Sequence, residues 1–250
     1  MSHLSDITLI IPFHNEARRL DSTTDGLMTY FRTSESRPHM IFVNDGSADD
    51  TRTRLEALCE KLRNCVPEST FNMVSYDKAG GKGWALFQGI LACKTAWCLT
   101  LDADLSAGPR ELDFWQERGW LHMDQDRVFI GSREMGIREG LATSSALRRP
   151  VSVVFNRLVQ RWTGLHLDDT QCGFKLYPSA IAKEIFTNLS DYGFAHDVEV
   201  LLRLRNMNVP VAPLAVHWQP EKGSKVNVFS DGWQMLKVIR TLGKRYTQHP

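Results

Sequence analysis

Short apolar runs rich in β-branched residues alternate with longer segments of helical period in the first half of the chain, and no other sequence feature constrains the fold as strongly. This alternation is typical of βαβ units built around a mainly parallel sheet. The predicted strands lie at residues 7–12, 40–44, 71–76, 97–101 and 128–131, and the predicted helices between them at 16–32, 49–63, 82–93 and 109–121. The sequence therefore predicts an α/β fold with helices flanking the sheet.

The alternation of strand and helix patterns ends after Arg133, and helical segments predominate from there on. The pattern predicts a loop at 136–145, a partly basic helix at 146–163, a strand at 172–177, helices at 179–188 and 196–206, a strand at 212–218 and a final helix from 230 to about 246. Neither a linker-like stretch nor an internal repeat divides the sequence. We therefore expect one domain over residues 1–250, with a C-terminal helical elaboration.

Charge and cysteine content narrow the class of protein. The 250 residues include 30 Lys and Arg and 29 Asp and Glu, so the net charge is +1. No overall positive field therefore favours nucleic acid as a partner. The five cysteines form no C-x-x-C pair, which excludes a structural zinc motif of that type and fits a reducing compartment. No apolar run approaches the ~18 residues of a membrane span. The sequence predicts a cytoplasmic location.

Polar residues follow four of the predicted strands. Ligands of open parallel sheets bind beyond the carboxyl ends of the strands, which is where these residues fall. The segments are Pro12–Glu16, Asn44–Ser47, Asp102–Asp104 and Gly131–Arg133. Each alone is equally well explained as a turn or a helix cap. Four on one edge predict a binding site.

Asp102 and Asp104 are the most informative of these residues. Two carboxylates one residue apart at the end of a buried strand repel each other unless a cation or water separates them. Mg²⁺ or Mn²⁺ takes one or two carboxylates and completes its shell with water and substrate phosphates, which favours a diphosphate ligand. In the alternative interpretation, Asp104 caps a later turn and Asp102 lies in water.

A glycine-rich turn, Ala79–Gly83, precedes the third predicted helix. Its backbone N–H groups and the helix dipole could face an anion, with Lys82 adding a full charge. It is not a P-loop, because Trp84 stands where a Ser or Thr would hold magnesium. A flexible turn with a solvent-facing lysine explains the motif equally well.

Together these segments resemble family 2 glycosyltransferases of the GT-A fold, specifically the dolichyl-phosphate sugar synthases. Pro12–Glu16 resembles the P-x-x-N-E opening, Asp102–Asp104 the D-A-D motif and Gly131–Arg133 the G-S-R segment. Three segments of the second half resemble the dolichyl-phosphate β-glucosyltransferase branch: Asp169–Lys175, Phe194–Glu199 and Gly223–Lys225. The mannosyl branch is the nearer alternative. The resemblance implies a Rossmann-like, mainly parallel GT-A sheet. It also implies a nucleotide-sugar half over about 1–133 and an acceptor-binding half over about 134–250.

The resemblance assigns a role to each matching position. Pro12, Glu16 and Asp45 would hold the nucleotide, Lys82 a phosphate, and Asp102 and Asp104 the Mg²⁺ or Mn²⁺ ion. Arg133, Arg149 and Lys225 would gather the acceptor phosphate, and Asp169 would orient one of these cations or the acceptor, with a salt bridge or cap as its alternative role. The sequence departs from the family pattern in having His14 for Tyr, Asn44 for the first Asp of V-D-D-G-S, and Ser106 where the mannosyl branch often has Gln.

The implied reaction is an inverting transfer of a hexose, glucose rather than mannose, from UDP-glucose or GDP-mannose to a polyprenyl or dolichyl phosphate. A phosphate monoester with a second pKa of ~6 is largely ionised at neutral pH, so the acceptor needs cations more than it needs a general base. Asp104, Asp169 and Arg133 are the expected catalytic residues. Three alternatives stay open: mannosyl transfer, a non-lipid acceptor, and a non-catalytic nucleotide-sugar binding protein.

A lipid acceptor requires contact with a membrane surface or with a membrane-protein partner. Two amphipathic segments are candidates for peripheral attachment, the final helix and residues 148–162. The alternative for the final helix, which amphipathic helices adopt more often, is that its apolar side packs on the domain.

Overall fold

The computed structural model describes residues 4–123, 127–143, 148–193, 195–219 and 230–247, with the backbone alone at 148–152, 230–234 and 247. Within these ranges seven strands form one sheet in the order β3-β2-β1-β4-β6-β5-β7. The strands are β1 (Ile7–Phe13), β2 (His39–Asp45), β3 (Phe71–Tyr76), β4 (Trp97–Thr100), β5 (Val128–Ser132), β6 (Lys175–Pro178) and β7 (Val211–Ala215). All neighbours pair in parallel except where β6 runs antiparallel to β4 and β5. The predicted mainly parallel α/β sheet is confirmed.

Helices cover both faces of this sheet. They are α1 (Leu20–Thr33), α2 (Thr51–Cys65), α3 (Lys82–Ala92), α4 (Arg110–Glu117), α5 (Arg133–Arg138), α6 (Arg148–Thr163), α7 (Ser179–Thr187), α8 (His196–Asn206) and α9 (Ser230–Thr247). The prediction of a loop from residue 136 was wrong at its start, because α5 runs to Arg138. Ser132 caps this helix, its Oγ accepting the Met135 N–H at 3.2 Å. One and a half turns are too few for a helical period to show in the sequence.

The sheet separates two hydrophobic cores. Alternate residues of β1 point to opposite faces: Leu9 packs with Leu27 of α1 and Leu55 of α2, while Ile10 packs with Ile90 of α3 and joins the second core. The continuous apolar run of this strand follows from burial on both faces. The result is a three-layer sandwich.

The strand order gathers the polar segments at one edge. From β1 the chain passes first to β2 on one side and later to β4 on the other, which leaves a crevice at the carboxyl ends of β1 and β4. Since β6 is antiparallel and pairs Lys175 with Thr100, the residues that precede β6 lie beside those that follow β4. Lys175 also pairs with Ile130 of β5, which brings Arg133 to the same place.

The C-terminal helix packs on the domain. Ile239 and Leu242 of α9 are 0% and 4% exposed, and a Cβ added to Gly243 would lie 2.1 Å from the Trp162 carbonyl oxygen of α6. The apolar side of α9 is therefore used inside the protein, the alternative that the sequence had left open. In the described part of the chain, no helix has the length and apolar character to cross a bilayer.

Candidate active site

The acidic turn follows β4 directly. Asp102 Oδ1 lies 2.6 Å from Lys82 Nζ, and both side chains are partly exposed. Asp104 Oδ1 accepts the Ser106 N–H at 3.0 Å. Leu105, between Asp104 and Ser106, takes a φ of +53°, a conformation that costs a non-glycine residue on the order of 1 kcal/mol and occurs often at functional sites. Burial by itself would raise the pKa of Asp102, but the charge of Lys82 outweighs it and lowers that pKa.

The sequence left the glycine turn open between an anion site and an ordinary turn, and in the structure its three glycine N–H groups bond within the protein. The Asp45 carboxylate accepts the Gly80 N–H at 2.7 Å and the Gly81 N–H at 3.0 Å, and the Tyr192 carbonyl accepts the Gly83 N–H at 2.9 Å. These three donors are satisfied within the protein, whereas the Lys82 side chain is partly exposed and can meet an anion. Asp45 is 3% exposed and holds the turn against the end of β2.

The loops after β1 and β2 are bonded to each other. The Asn15 N–H donates to Ser47 Oγ at 3.0 Å, and Asn15 Oδ1 accepts the Ala48 N–H at 2.8 Å. His14 Nδ1 lies 2.6 Å from the Asp45 carbonyl oxygen. Glu16 is anchored through its backbone N–H, which donates to Thr51 Oγ1 at 2.8 Å. The two loops thus form one wall, with Pro12 at the end of β1 behind it.

Arg133 and Asp169 form a two-pronged ion pair. Arg133 Nε and Nη2 donate to the Asp169 carboxylate at 2.7 and 2.8 Å, and the Arg133 backbone N–H donates to it at 3.0 Å. The Gln171 N–H adds a fourth bond at 3.1 Å. Burial by itself would raise the pKa of Asp169, but Arg133 outweighs it and lowers that pKa. Asp169 is 4% exposed and fixes Arg133 through these bonds, while the Arg133 side chain stays 30% exposed.

Asp102 and Arg133 share one cleft, together with Ser106, Cys172, Phe174 and Trp218. The Arg133 guanidinium lies 5.5 Å from the centre of the Trp218 ring, a cation–π contact that fixes the arginine further. Asp102, predicted for the donor, and Arg133, predicted for the acceptor, therefore meet in a cleft that residues of the second half help to line. Lys225 lies outside the described residues, and Arg149 is described only as backbone at the start of α6.

A buried charged cluster behind the cleft was missed by the sequence analysis. Lys175 is 1% exposed, and its Nζ donates to the Cys172 carbonyl at 2.6 Å and to the Asp197 carboxylate. His196 Nε2 lies 3.6 Å from Asp197 Oδ1. Lys175 and Asp197 belong to motifs that carried the family resemblance without an assigned role. A lysine inside an otherwise apolar strand was the available signal, because such a residue requires a buried partner.

The donor chemistry of the acidic turn fits a divalent cation. Asp102 and Asp104 provide carboxylate oxygens, and Asp102 already has the Lys82 ammonium against one of its oxygens. Among the described residues, no group of three or more His, Cys, Asp or Glu side chains could form an all-protein metal cage. That composition suits Mg²⁺ or Mn²⁺, which leaves part of its shell to substrate phosphates and water.

Comparisons with known proteins give one consistent result. The sequence profile described as Glycosyl transferase family 2 matches residues 8–186. A dolichyl-phosphate β-glucosyltransferase of Dictyostelium discoideum is 32% identical in an alignment of 250 positions that covers 96% of this chain and 74% of that protein. The Homo sapiens and Saccharomyces cerevisiae proteins of the same name are each 28% identical, over 98% and 96% of this chain and 77% and 75% of their own.

The same architecture occurs in solved structures. Glucosyl-3-phosphoglycerate synthase from Mycobacterium tuberculosis, crystallised with Mn²⁺, UDP-glucose and phosphoglyceric acid, superposes with a TM-score of 0.64 over 98% of this chain and 80% of that one. Its sequence identity is 15%. Its likeness to this chain lies in the fold.

Proposed function

The chain belongs to glycosyl transferase family 2, and from that premise we propose that it transfers glucose from UDP-glucose to a polyprenyl phosphate of the dolichyl type. Relatives named dolichyl-phosphate β-glucosyltransferase match nearly the whole chain. The observation that carries the proposal is the shared cleft, in which an acidic turn faces an arginine that a buried aspartate holds in place.

The donor diphosphate is assigned to the acidic turn and Lys82. Asp102 and Asp104 would hold a divalent cation, whose chemistry is to stabilise negative charge on the departing nucleotide diphosphate. Structural relatives crystallised with Mn²⁺ or Mg²⁺ and a uridine nucleotide support this choice of ion. Lys82 would provide a second positive charge for the diphosphate. The nucleoside is assigned to the wall formed by the loops after β1 and β2, where Pro12 and Glu16 lie. Asp45 would support this wall from behind, because its buried carboxylate is bonded to the Gly80 and Gly81 N–H groups.

The acceptor phosphate is assigned to Arg133. Its guanidinium is oriented by Asp169 and Trp218 and provides fixed donors for a phosphate oxygen. Arg149 and Lys225 are proposed to complete this anion site, as the family resemblance implies. A phosphate acceptor is largely ionised at neutral pH, so it can attack the anomeric carbon without a strong general base. Asp169 already accepts four hydrogen bonds, which favours a positioning role over proton transfer.

We further propose that the reaction takes place at a membrane surface, because a polyprenyl chain lies in a bilayer. Peripheral attachment on the cytoplasmic face, predicted from the sequence, belongs to this proposal. With the apolar side of α9 packed on the domain, α6 is the better candidate for contact with lipid, since its Val154 is 56% exposed.

Product analysis tests the proposal. The protein is incubated with labelled UDP-glucose or GDP-mannose, with polyprenyl phosphate or phosphoglyceric acid as acceptor, and with Mg²⁺, Mn²⁺ or EDTA. We expect a metal-dependent glucolipid, no product with Asp104→Ala, and at least ~10-fold weaker use of the lipid with Arg133→Ala. Arg138→Ala is the matched control, because Arg138 also lies on α5 but is exposed and pairs with the exposed Asp168. Transfer only from GDP-mannose, or only to the soluble acceptor, would contradict the proposal.

A further inference from the structure

Glu199 of α8 is a fully buried carboxylate that the proposed reaction does not use. It is 0% exposed. Its two oxygens accept the Ser190 N–H at 3.0 Å, the Ser190 hydroxyl at 2.8 Å and the Asp191 N–H at 3.0 Å. A fourth donor, the Tyr246 hydroxyl, lies 3.0 Å away and belongs to the last turn of α9. A single carboxylate therefore joins the C-terminal helix to the loop that precedes α8.

That loop in turn supports the glycine turn that carries Lys82. Two residues after Ser190, the Tyr192 carbonyl accepts the Gly83 N–H at 2.9 Å. A Cβ added to Gly81 or Gly83 would lie 2.8 or 2.9 Å from the same carbonyl oxygen, so the two segments are in direct backbone contact.

Ring contacts hold the same loop in place. The Tyr192 ring meets the Trp84 ring edge-on, with ring centres 5.2 Å apart, and stacks against Phe87 at 6.1 Å. Both partners lie on α3, which begins at Lys82. A displacement of the loop would therefore move the start of α3 with it.

We propose that Glu199 is a positioning residue: it couples the packed position of the C-terminal helix to the position of the turn that binds the donor diphosphate. The coupling runs from Tyr246 through Glu199 and the loop at 190–193 to Gly83, and Lys82 stands next to Gly83 with its ammonium on Asp102. The assignment of the turn to the donor rests on the proposed function. The coupling itself rests on the contacts alone.

The physical reason is the cost of an incompletely bonded buried carboxylate. If the Tyr246 hydroxyl is removed, Glu199 keeps the loop donors and the nearby Arg203 but loses its link to α9. A buried acceptor that has lost one donor is costly, so its remaining donors or water shift to replace the missing hydrogen bond. Here most of the other partners are donors of the loop that supports the donor turn, namely the N–H groups of Ser190 and Asp191 and the Ser190 hydroxyl, so the disturbance reaches Gly83.

Tyr246→Phe is the variant that tests the coupling, because it deletes one hydroxyl and keeps the ring that packs near Arg203. We expect faster amide hydrogen exchange in residues 81–84 of the ligand-free protein, and a three- to tenfold rise in the KM for UDP-glucose, of the size that one buried hydrogen bond gives. The kcat and the KM for polyprenyl phosphate should change less than ~2-fold, since Arg133 is not in contact with this network. Ser190→Ala, which removes another donor to Glu199, should act in the same direction.

Thr241→Val is the matched control, since the Thr241 hydroxyl is also on α9 but donates to the Lys237 carbonyl of the same helix. It should leave exchange at 81–84 and the KM for UDP-glucose at wild-type values. Wild-type exchange at 81–84 in both Tyr246→Phe and Ser190→Ala would overturn the coupling, whatever the enzyme transfers. A wild-type protein that does not use UDP-glucose would instead refute the proposed function, and the exchange data would still decide the coupling.

Discussion

Two ion pairs of different character meet at the cleft. Lys82 and Asp102 are partly exposed, with 26% and 42% of their side chains accessible, so the ammonium can change partners when a diphosphate arrives. Arg133 is held by an aspartate side chain that is 3% exposed and that accepts four hydrogen bonds. The first pair can rearrange during a catalytic cycle, whereas the second provides a fixed cation.

Replacing Asp169 tests whether it positions Arg133 or accepts a proton. In Asp169→Asn the carboxamide oxygen can still accept a hydrogen bond from Arg133. The NH₂ group, however, replaces an oxygen that accepts hydrogen bonds, so it faces another donor and those bonds are lost. We expect the KM for polyprenyl phosphate to rise ~10-fold and the free energy of unfolding to fall by ~1–3 kcal/mol. Loss of a general base would lower kcat by ~10²–10⁴ instead. Steady-state kinetics with urea unfolding distinguishes the two roles.

Asp168→Asn is the control for this experiment. Asp168 is the neighbouring residue and also pairs with an arginine of α5, but both partners are about half exposed or more. An exposed pair contributes little, so the KM for polyprenyl phosphate should change by less than about twofold and the free energy of unfolding by less than about 0.5 kcal/mol.

At the scale of single elements, sequence periodicity predicted the strands and helices that bury a continuous apolar pattern. β3 and α8 have the predicted bounds, and β2 extends the prediction by one residue at each end. The bounds of β6, β7 and α4 differ from the predicted 172–177, 212–218 and 109–121. Two further errors occur where local hydrogen bonds override the pattern. α1 begins at Leu20 rather than at residue 16, because the Glu16 carbonyl closes a turn with the Arg19 N–H at 2.9 Å. α5 was missed because its start depends on a serine cap rather than on an apolar face.

The crossing of α9 and α6 depends on Gly243. A helical Gly→Ala change at an open site stabilises a helix by ~1 kcal/mol, but here the new Cβ would lie 2.1 Å from the Trp162 carbonyl oxygen. The atoms that this Cβ would meet belong to the backbone of Trp162 and Thr163, so no flexible side chain can move aside. We therefore expect Gly243→Ala to lower the free energy of unfolding by ~1–3 kcal/mol, measured by urea denaturation.

The same helix supplies the control, because Thr241→Ala exchanges an exposed residue for a good helix former. It should change the free energy of unfolding by less than ~0.5 kcal/mol. Stabilisation by Gly243→Ala would mean that the two helices do not approach as closely as described.

At the scale of the whole molecule, the sequence identified the residues of the cleft better than the residues that support them. Asp102, Lys82, Arg133 and Asp169 stand in short motifs at strand ends, and the strand order brings them together. The supporting pairs, Lys175 with Asp197 and Glu199 with Tyr246, join segments 22 and 47 residues apart. Such pairs depend on how helices pack on the sheet, which neither composition nor periodicity specifies. A net charge of +1 likewise conceals ionised groups in the interior.

The buried pair of Lys175 and Asp197 predicts a pH-dependent stability. Burial by itself would raise the pKa of Asp197, but the neighbouring His196 and Lys175 outweigh it and hold that pKa well below its usual range. Lys175 is the partner that matters at neutral pH, because burial lowers the pKa of His196 and keeps its imidazole uncharged. A depressed folded-state pKa gives stability that is present above the unfolded value of ~3.9 and is lost as the pH falls below it.

Asp197→Asn leaves Lys175 charged and buried, so we expect a loss of ~3–5 kcal/mol in the free energy of unfolding at pH 7. Urea denaturation at several pH values should show this deficit constant above about pH 5 and shrinking below about pH 4. The exposed Asp25→Asn is the control and should change little at any of these values. A deficit that does not depend on pH would contradict a charged pair, whereas recovery in the double variant Lys175→Met with Asp197→Leu would support one.

The junction between the two halves of the chain gives the last prediction. Gly173 lies in the segment before β6, and a Cβ there would fall 2.6 Å from Asp102 Oδ2. The carboxylate is the end of a partly exposed side chain, so it can turn away at little cost to the fold, but it then leaves Lys82 and the acidic turn. Gly173→Ala should lower kcat/KM for the sugar donor at least ~10-fold while the melting temperature falls by only a few degrees.

Gly108→Ala is the matched control in the same turn region, since its added Cβ would meet its nearest atom at an ordinary 3.5 Å. It should keep donor kinetics near wild type. If Gly173→Ala also kept them, the contact between the segment before β6 and Asp102 would not matter for catalysis. If Gly173→Ala unfolded the protein instead, the carboxylate would be too constrained to turn away. The expected pattern, impaired donor use in a folded protein, follows only if the second half of the chain directly confines the acidic turn of the first.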